Sequence, residues 1–319
     1  MWMDCLLIIL GIVLVLKGAD WLTEGAASLA RKFNVPEIVI GLTIVAAGTS
    51  APELFVSVAS ALQDTPDLAV GNVVGSNIMN TLLIVGVTAV VAPMTISRAT
   101  VAKDIPFSAV ASLLLIVLCL DTFASIDIAG NMISRIDGFI MLAGFTLFMV
   151  YTFSVAKSSP SADDARDKAV TPVWKSLLFI VIGLACLVVG SDVFVSSASS
   201  VAEQLGVSQS VIGLTIVAGG TSLPELATSV VAARKGQSAI AIGNVIGSNV
   251  FNILLILGVT SVICPMQIGG ITIVDMGVML LSVLLVWLFS FTRYTVEKWE
   301  GVVLTLIYVA YTGWLMYNI

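Results

Sequence analysis

GLTIVAAGTSAPEL, residues 41–54, places a proline and a carboxylate, Pro52 and Glu53, inside a stretch otherwise apolar enough to cross a membrane. A near copy, GLTIVAGGTSLPEL, occupies residues 213–226 with Pro224 and Glu225. The likeness continues outward, because GNVVGSNIMNTLLIVGVT at 71–88 recurs as GNVIGSNVFNILLILGVT at 243–260. A constant offset of 172 residues carries Glu53 onto Glu225 and Asn80 onto Asn252. It also carries Gly18-Ala19-Asp20 onto Gly190-Ser191-Asp192, and Pro93-Met94 onto Pro265-Met266. The chain is an internal duplication. Its best-matched segments are the polar ones, which points to a shared function rather than to shared packing.

The setting of these stretches is a membrane. Of 319 residues, 58% are hydrophobic and 11% charged, with a mean hydropathy of +1.09. Soluble domains run nearer to about 45–50% apolar and about 25% charged. Repeated apolar runs of about 20 residues predict an all-α integral membrane protein, whereas barrel strands would alternate in shorter segments. Ten spanning segments are expected, at about 4–28, 37–63, 69–92, 104–120, 137–155, 174–201, 209–233, 238–263, 270–291 and 299–317. The polar stretch KSSPSADDARDK, 157–168, divides them into two groups of five. The expected organisation is a first five-helix repeat at 1–156, a linker at 157–173 and a second repeat at 174–319. The most similar parts are 37–92 and 209–263. The longest polar stretch, Lys157 to Lys175, leaves no room for a large soluble domain. No convincing cleavage site follows the first segment, so it reads as a retained helix.

An odd number of helices per repeat inserts the second copy upside down, and loop charges test this. Assigned alternately, one side collects Arg31, Lys32, Arg98, Lys103, Lys157, Arg166, Lys168, Lys175, Arg234, Lys235, Arg293 and Lys298. The other side has Arg135. The bias predicts extracytoplasmic termini and a cytoplasmic linker. Inverted repeats joined by a short linker are a feature of secondary transporters, with the site at the repeat interface near the bilayer midplane.

Each GTSxPE brings oxygen. A proline removes one backbone N–H and frees a carbonyl one turn earlier, near Gly48 and Thr49 or near Gly220 and Thr221. The hydroxyls of Thr49, Ser50, Thr221 and Ser222 lie beside those carbonyls, and Glu53 and Glu225 add charge. Such a set suits hard cations such as Na⁺ and Ca²⁺. Ionisable residues at membrane depth are costly and point to function. A second wall comes from Ser76 with Asn80, and Ser248 with Asn252, each pair one helical turn apart. Asn72, Asn77, Asn244 and Asn249 read as helix-to-helix hydrogen bonds. Gly71 with Gly75, and Gly243 with Gly247, are small-residue pairs that let helices approach. Asp20, Glu24 and Asp192 read as interfacial or gating residues, and Lys17 as snorkelling or paired with an acid.

Other classes are excluded by residue type. The chain has no histidine, which removes imidazole relays, His-ligated metals and a Ser–His dyad. Cys5, Cys119, Cys186 and Cys264 are widely spaced in apolar context and form neither a disulfide framework nor a metal cluster. Asp20 and Asp192 lack the setting of an intramembrane aspartyl protease. No enzyme activity, tightly bound cofactor, nucleic acid or obligatory protein partner is expected. The net charge of −6 sits in short loops and says little about partners.

GTSAPE with GTSLPE, GSNIMN with GSNVFN, and two inverted five-helix sets resemble the sodium/calcium exchangers of the calcium/cation antiporter superfamily. The resemblance implies a calcium site from Glu53, Glu225 and the carbonyls of Thr49 and Thr221. It implies sodium ligands at the Ala46 and Ala218 carbonyls and at Ser50, Ser76, Ser222 and Ser248, with Asn80 and Asn252 at the middle position. It further implies that the first and sixth helices slide across this core to alternate access. One departure concerns charge. Well-known exchangers often carry Asp at one of the two positions matched by Asn80 and Asn252, and here both are neutral. Glu53 and Glu225 then balance one Ca²⁺ or two Na⁺, and a 3:1 coupling follows by analogy alone. The large regulatory loop of animal exchangers has no counterpart in the short linker, so the chain resembles a minimal prokaryotic exchanger. A Ca²⁺/H⁺ antiporter on the same fold is the alternative, with a cation channel behind it; H⁺ or K⁺ as a coupled ion stays open at this point.

Overall fold

A computed structural model describes residues 2–63, 66–119, 132–158, 171–206, 218–268 and 271–317. In hydrocarbon every backbone N–H and C=O must find a partner within its own segment, and the apolar runs accordingly close into helices. We number them α1 Trp2–Lys32, α2a Glu37–Thr49, α2b Ala51–Leu62, α3 Leu68–Val91, α4 Thr100–Leu118 and α5 Arg135–Lys157. Then follow α6 Val173–Gln204, α7a Ala218–Thr221, α7b Leu223–Arg234, α8 Ser238–Ile263, α9 Ile273–Ser290 and α10 Lys298–Tyr317. Among the described residues, eight helices are each long and apolar enough to cross a membrane. The bent pair α2a–α2b makes a ninth candidate. Residues 209–217 of the expected seventh segment lie outside the described residues, as does most of the 157–173 linker.

Within the span expected over 37–63 the helix bends by 45°. Ser50 leaves the helical region (φ −83°, ψ 5°), because Pro52 cannot donate to the Gly48 carbonyl and its ring crowds the preceding turn. Ser222 is placed in the same way before Pro224 (φ −91°, ψ 6°).

The centre of the molecule is α3 and α8, 78% and 94% buried against 17–39% for the other long helices. Both widen into a π-turn at matching positions, Met79–Ile84 and Phe251–Leu257, which hold Asn80 and Asn252. Such turns recur at functional sites, where they re-aim side chains. α8 leans closely on α2a through one of the two glycine pairs read as close-approach pairs, Gly243 and Gly247; the other is corrected, since a Cβ on Gly71 would meet only Ile271 Cδ1 at 3.8 Å and one on Gly75 nothing within 4 Å. A Cβ added to Gly243 would lie 2.9 Å from the Ile38 carbonyl, and one on Gly247 2.6 Å from the Ala46 Cβ.

α1 and α6 run antiparallel with small residues in register. Gly11 faces Gly190, Gly18 faces Gly183 and Gly25 faces Ser176, so that a Cβ on Gly18 would sit 2.7 Å from the Gly183 carbonyl. Two further features extend the all-α expectation. Met94–Thr95 pairs antiparallel with Thr295–Val296, and Met132–Ile133 with Met266–Gln267. These short ladders tie the exits of α3 and α8 to the entries of α10 and α5. Buried carboxylates pin the outer helices as well: Tyr151 of α5 donates to Asp104 of α4 at 2.7 Å, and Tyr311 of α10 donates to Asp275 of α9 at 2.6 Å.

Candidate ion-binding site

The two helix breaks face each other, and each presents its glutamate just past the break. Glu53 is 1% exposed and Glu225 fully buried. Each lies in the first turn of the helix that restarts after a serine, where unpaired N–H groups favour negative charge.

The serines cross over. Ser50 donates to Oε1 of Glu225 at 3.1 Å, and Ser222 lies 3.2 Å from Oε1 of Glu53. Ser248 reaches Glu225 Oε1 at 3.4 Å, while Ser76 lies 3.2 Å from the Ser222 hydroxyl. Thr49 Oγ1 sits 3.1 Å from the Val45 carbonyl, 3.4 Å from the Ala46 carbonyl and 3.1 Å from Asn244 Oδ1. The Ala46 carbonyl also accepts the Ser50 N–H at 2.9 Å. Thr221 lies against the Glu53 carboxylate. Ala218 stands at the edge of the described residues, at the start of α7a.

Four acceptors are left over. Oε2 of Glu53, Oε2 of Glu225, Oδ1 of Asn80 and Oδ1 of Asn252 are buried and have no hydrogen-bond partner among the described residues. Unsatisfied buried acceptors are expensive, and a set made of two carboxylate and two amide oxygens is what a hard cation satisfies. Among the described residues no three His, Cys, Asp or Glu side chains gather into a metal-binding group. The cluster is thus two acids supplemented by neutral oxygen.

Asparagines support the frame, as expected of Asn72, Asn77, Asn244 and Asn249. Asn72 Nδ2 donates to the Glu53 carbonyl and to Ser57 Oγ at 3.4 and 3.2 Å. Asn244 Nδ2 does the same for the Glu225 carbonyl and Ser229 Oγ at 3.3 and 3.0 Å. Each therefore moors a glutamate's backbone to the central helix beside it. Sequence reasoning passed over Ser57, Ser229 and Thr81. The first two carried a signal: each lies one helical turn after a site glutamate, and they are related by the same 172-residue offset. Thr81 carried none, since its repeat mate is Ile253.

Asp20 and Lys17 take other partners and surroundings. Asp20 pairs with Lys235 at 2.6 Å, and the same ammonium also reaches the Asp20 carbonyl and Thr23 Oγ1. Lys17 is exposed in a cleft it shares with Asp20, Arg234 and Lys235.

The chain matches the family model described as sodium/calcium exchanger protein over residues 4–154 and 175–317. It is 34% identical to the sodium/calcium exchanger MaX1 of Methanosarcina acetivorans, with 98% of each chain covered. It is also 34% identical to the inner membrane protein YrbG of Escherichia coli, with 97% of this chain and 96% of that one covered. Among solved structures it is similar to the sodium-calcium exchanger NCX_Mj, with a TM-score of 0.81 at 32% identity and 98% of each chain covered.

Proposed function

The chain belongs to the sodium/calcium exchanger family, and from that premise we propose that it is an antiporter exchanging Na⁺ for Ca²⁺ across the membrane by alternating access. The family is one of membrane transporters, and the chain is a multi-pass membrane protein. The observation that carries the finer reading is the set of four unpartnered buried oxygens from Glu53, Glu225, Asn80 and Asn252. They belong to two inverted five-helix repeats, 1–156 and 174–319, and meet near the bilayer midplane.

In this reading Ca²⁺ takes the two carboxylates with the carbonyls of Thr49 and Thr221. Na⁺ ions take the hydroxyls of Ser50, Ser76, Ser222 and Ser248 with the carbonyls of Ala46 and Ala218. The competition follows from charge. Two ionised glutamates repel each other in a low-dielectric site, so the pair stays ionised only with about two positive charges between them. One Ca²⁺ and two Na⁺ meet that demand alternately. The cross-over serines are suited to the exchange, since each can donate to a carboxylate or turn its oxygen to an ion. The antiparallel α1–α6 pair, which meets closely at its glycines, is suited to slide across the core as one unit. The loop charges favour cytoplasmic ends for the 157–173 linker and extracytoplasmic termini in a prokaryotic inner membrane.

The test is ⁴⁵Ca²⁺ uptake into proteoliposomes containing the purified chain. An imposed Na⁺ gradient is expected to drive uptake and a pH gradient without Na⁺ to leave it at background. Uptake driven by the pH gradient alone would instead establish Ca²⁺/H⁺ exchange on the same site.

A further inference from the structure

We propose that Asn77 and Asn249 are positioning residues, which fix the orientation of the Asn252 and Asn80 amides so that oxygen and not nitrogen faces the transported ion. The proposal rests on the site reading above. An asparagine amide carries an acceptor and a double donor of nearly equal shape. Turned one way, Asn80 and Asn252 complete a cation cage; turned the other, they aim N–H groups at it. Something must choose.

The choice is traceable to backbone carbonyls, which can only accept. On one side, Thr81 Oγ1 donates to the Asn77 carbonyl at 2.7 Å. Its single proton being committed, its oxygen accepts, and Asn249 Nδ2 donates to it at 2.9 Å. Asn249 Oδ1 therefore points away, and Asn80 Nδ2 donates to it at 3.2 Å. The Asn80 oxygen is left buried and unpartnered. On the other side the chain is one link shorter. Asn77 Nδ2 donates to the Asn249 carbonyl at 3.2 Å. Its Oδ1 then accepts from Asn252 Nδ2 at 3.0 Å, which leaves the Asn252 oxygen unpartnered. Both chains are directional from end to end, and both run between α3 and α8. All five side chains are at most 3% exposed, so no solvent competes for them.

The two halves reach the same result by different anchors. Asn249 depends on Thr81, whose repeat mate Ile253 has no hydroxyl, whereas Asn77 bonds a carbonyl directly. The arrangement makes Asn80 and Asn252 neutral, oxygen-only ligands. It also gives Thr81 an influence on ion binding although it is not among the unpartnered oxygens.

Equilibrium ⁴⁵Ca²⁺ binding to the purified full-length protein in Na⁺-free detergent solution tests this, using a double-mutant cycle. Asn249→Ala is expected to weaken Ca²⁺ binding about tenfold, the scale of one lost buried hydrogen bond with a misdirected donor, and Thr81→Val to weaken it severalfold. In an Asn80→Asp background a carboxylate has no wrong end to present, so both losses are expected to vanish. A merely structural role would cost the same in either background. Equal losses in the two backgrounds, or no loss in either, would overturn the inference while leaving the ion site standing. Absence of Ca²⁺ binding by the unmodified chain would overturn the site reading and the inference with it.

Discussion

Ser50 donates to the carboxylate of Glu225 across 3.1 Å, so the serine of one GTSxPE copy holds the acid of the other. Ser222 returns the contact to Glu53 at 3.2 Å. The cluster is therefore not two half-sites side by side. Each acid also takes a serine from the repeat it does not belong to, so the two copies are coupled at the carboxylates.

Removing either acid leaves a divalent ion undercompensated in a buried setting. Glu53→Gln and Glu225→Gln are each expected to lower Na⁺-gradient-driven Ca²⁺ uptake by on the order of a hundredfold, the cost of breaking a buried charge arrangement. Near-normal flux in either variant contradicts the site.

Ser50→Ala and Ser222→Ala delete one buried hydroxyl each and leave the charges in place. Each is expected to raise the half-saturating Na⁺ concentration by about three- to tenfold, the range of one net hydrogen bond. Because the contacts are reciprocal, the two shifts are expected to match; a shift in one variant alone would argue against the cross-over. Na⁺ titration of uptake at fixed Ca²⁺ supplies the measurement.

Asn80→Asp adds a third negative charge to a cluster now holding two. The expected result is a change in coupling, read as a shift in the reversal potential of Ca²⁺ flux in proteoliposomes at set Na⁺ and Ca²⁺ gradients. An unchanged reversal potential would assign Asn80 to structure.

The α1–α6 contact predicts a contrast between two glycines. Gly18→Leu places side-chain atoms where a Cβ already meets the Gly183 carbonyl at 2.7 Å and the Leu187 nitrogen at 2.9 Å. Overpacking of this kind costs about 1–3 kcal/mol or more, and a clear drop in thermal unfolding temperature in detergent is expected. Gly313→Ala on α10, where an added Cβ meets nothing within 4 Å, is expected to unfold as the unmodified protein does. Equal behaviour of the two variants would remove the close contact from the account.

Much of the candidate site was legible in the sequence because the duplication marks its polar residues. Glu53, Ser50, Ser76 and Asn80 each have an identical mate 172 residues on; the structure links the glutamates and serines by hydrogen bonds at the two helix breaks and the asparagines across α3 and α8. The bend at Ser50 was legible as chemistry, since proline has no N–H to donate, but its angle was not. The π-turns at Asn80 and Asn252 left no trace in composition, because their residues, MNTLLI and FNILLIL, differ little from those of an ordinary apolar helix. Thr81 was invisible for a different reason, having no counterpart in the second copy.

The sequence by itself determined that the chain crosses a membrane repeatedly, that it is duplicated, and that each copy breaks a helix beside a buried acid. Those properties depend on local residue type and spacing: apolar length, missing N–H donors and a fixed offset. Only the tertiary structure decided that the acids face each other, that each is held by the other copy's serine, and that the Asn80 and Asn252 oxygens are left free. These depend on hydrogen bonds between residues 168–175 positions apart, whose direction is set by which partner has a proton to give.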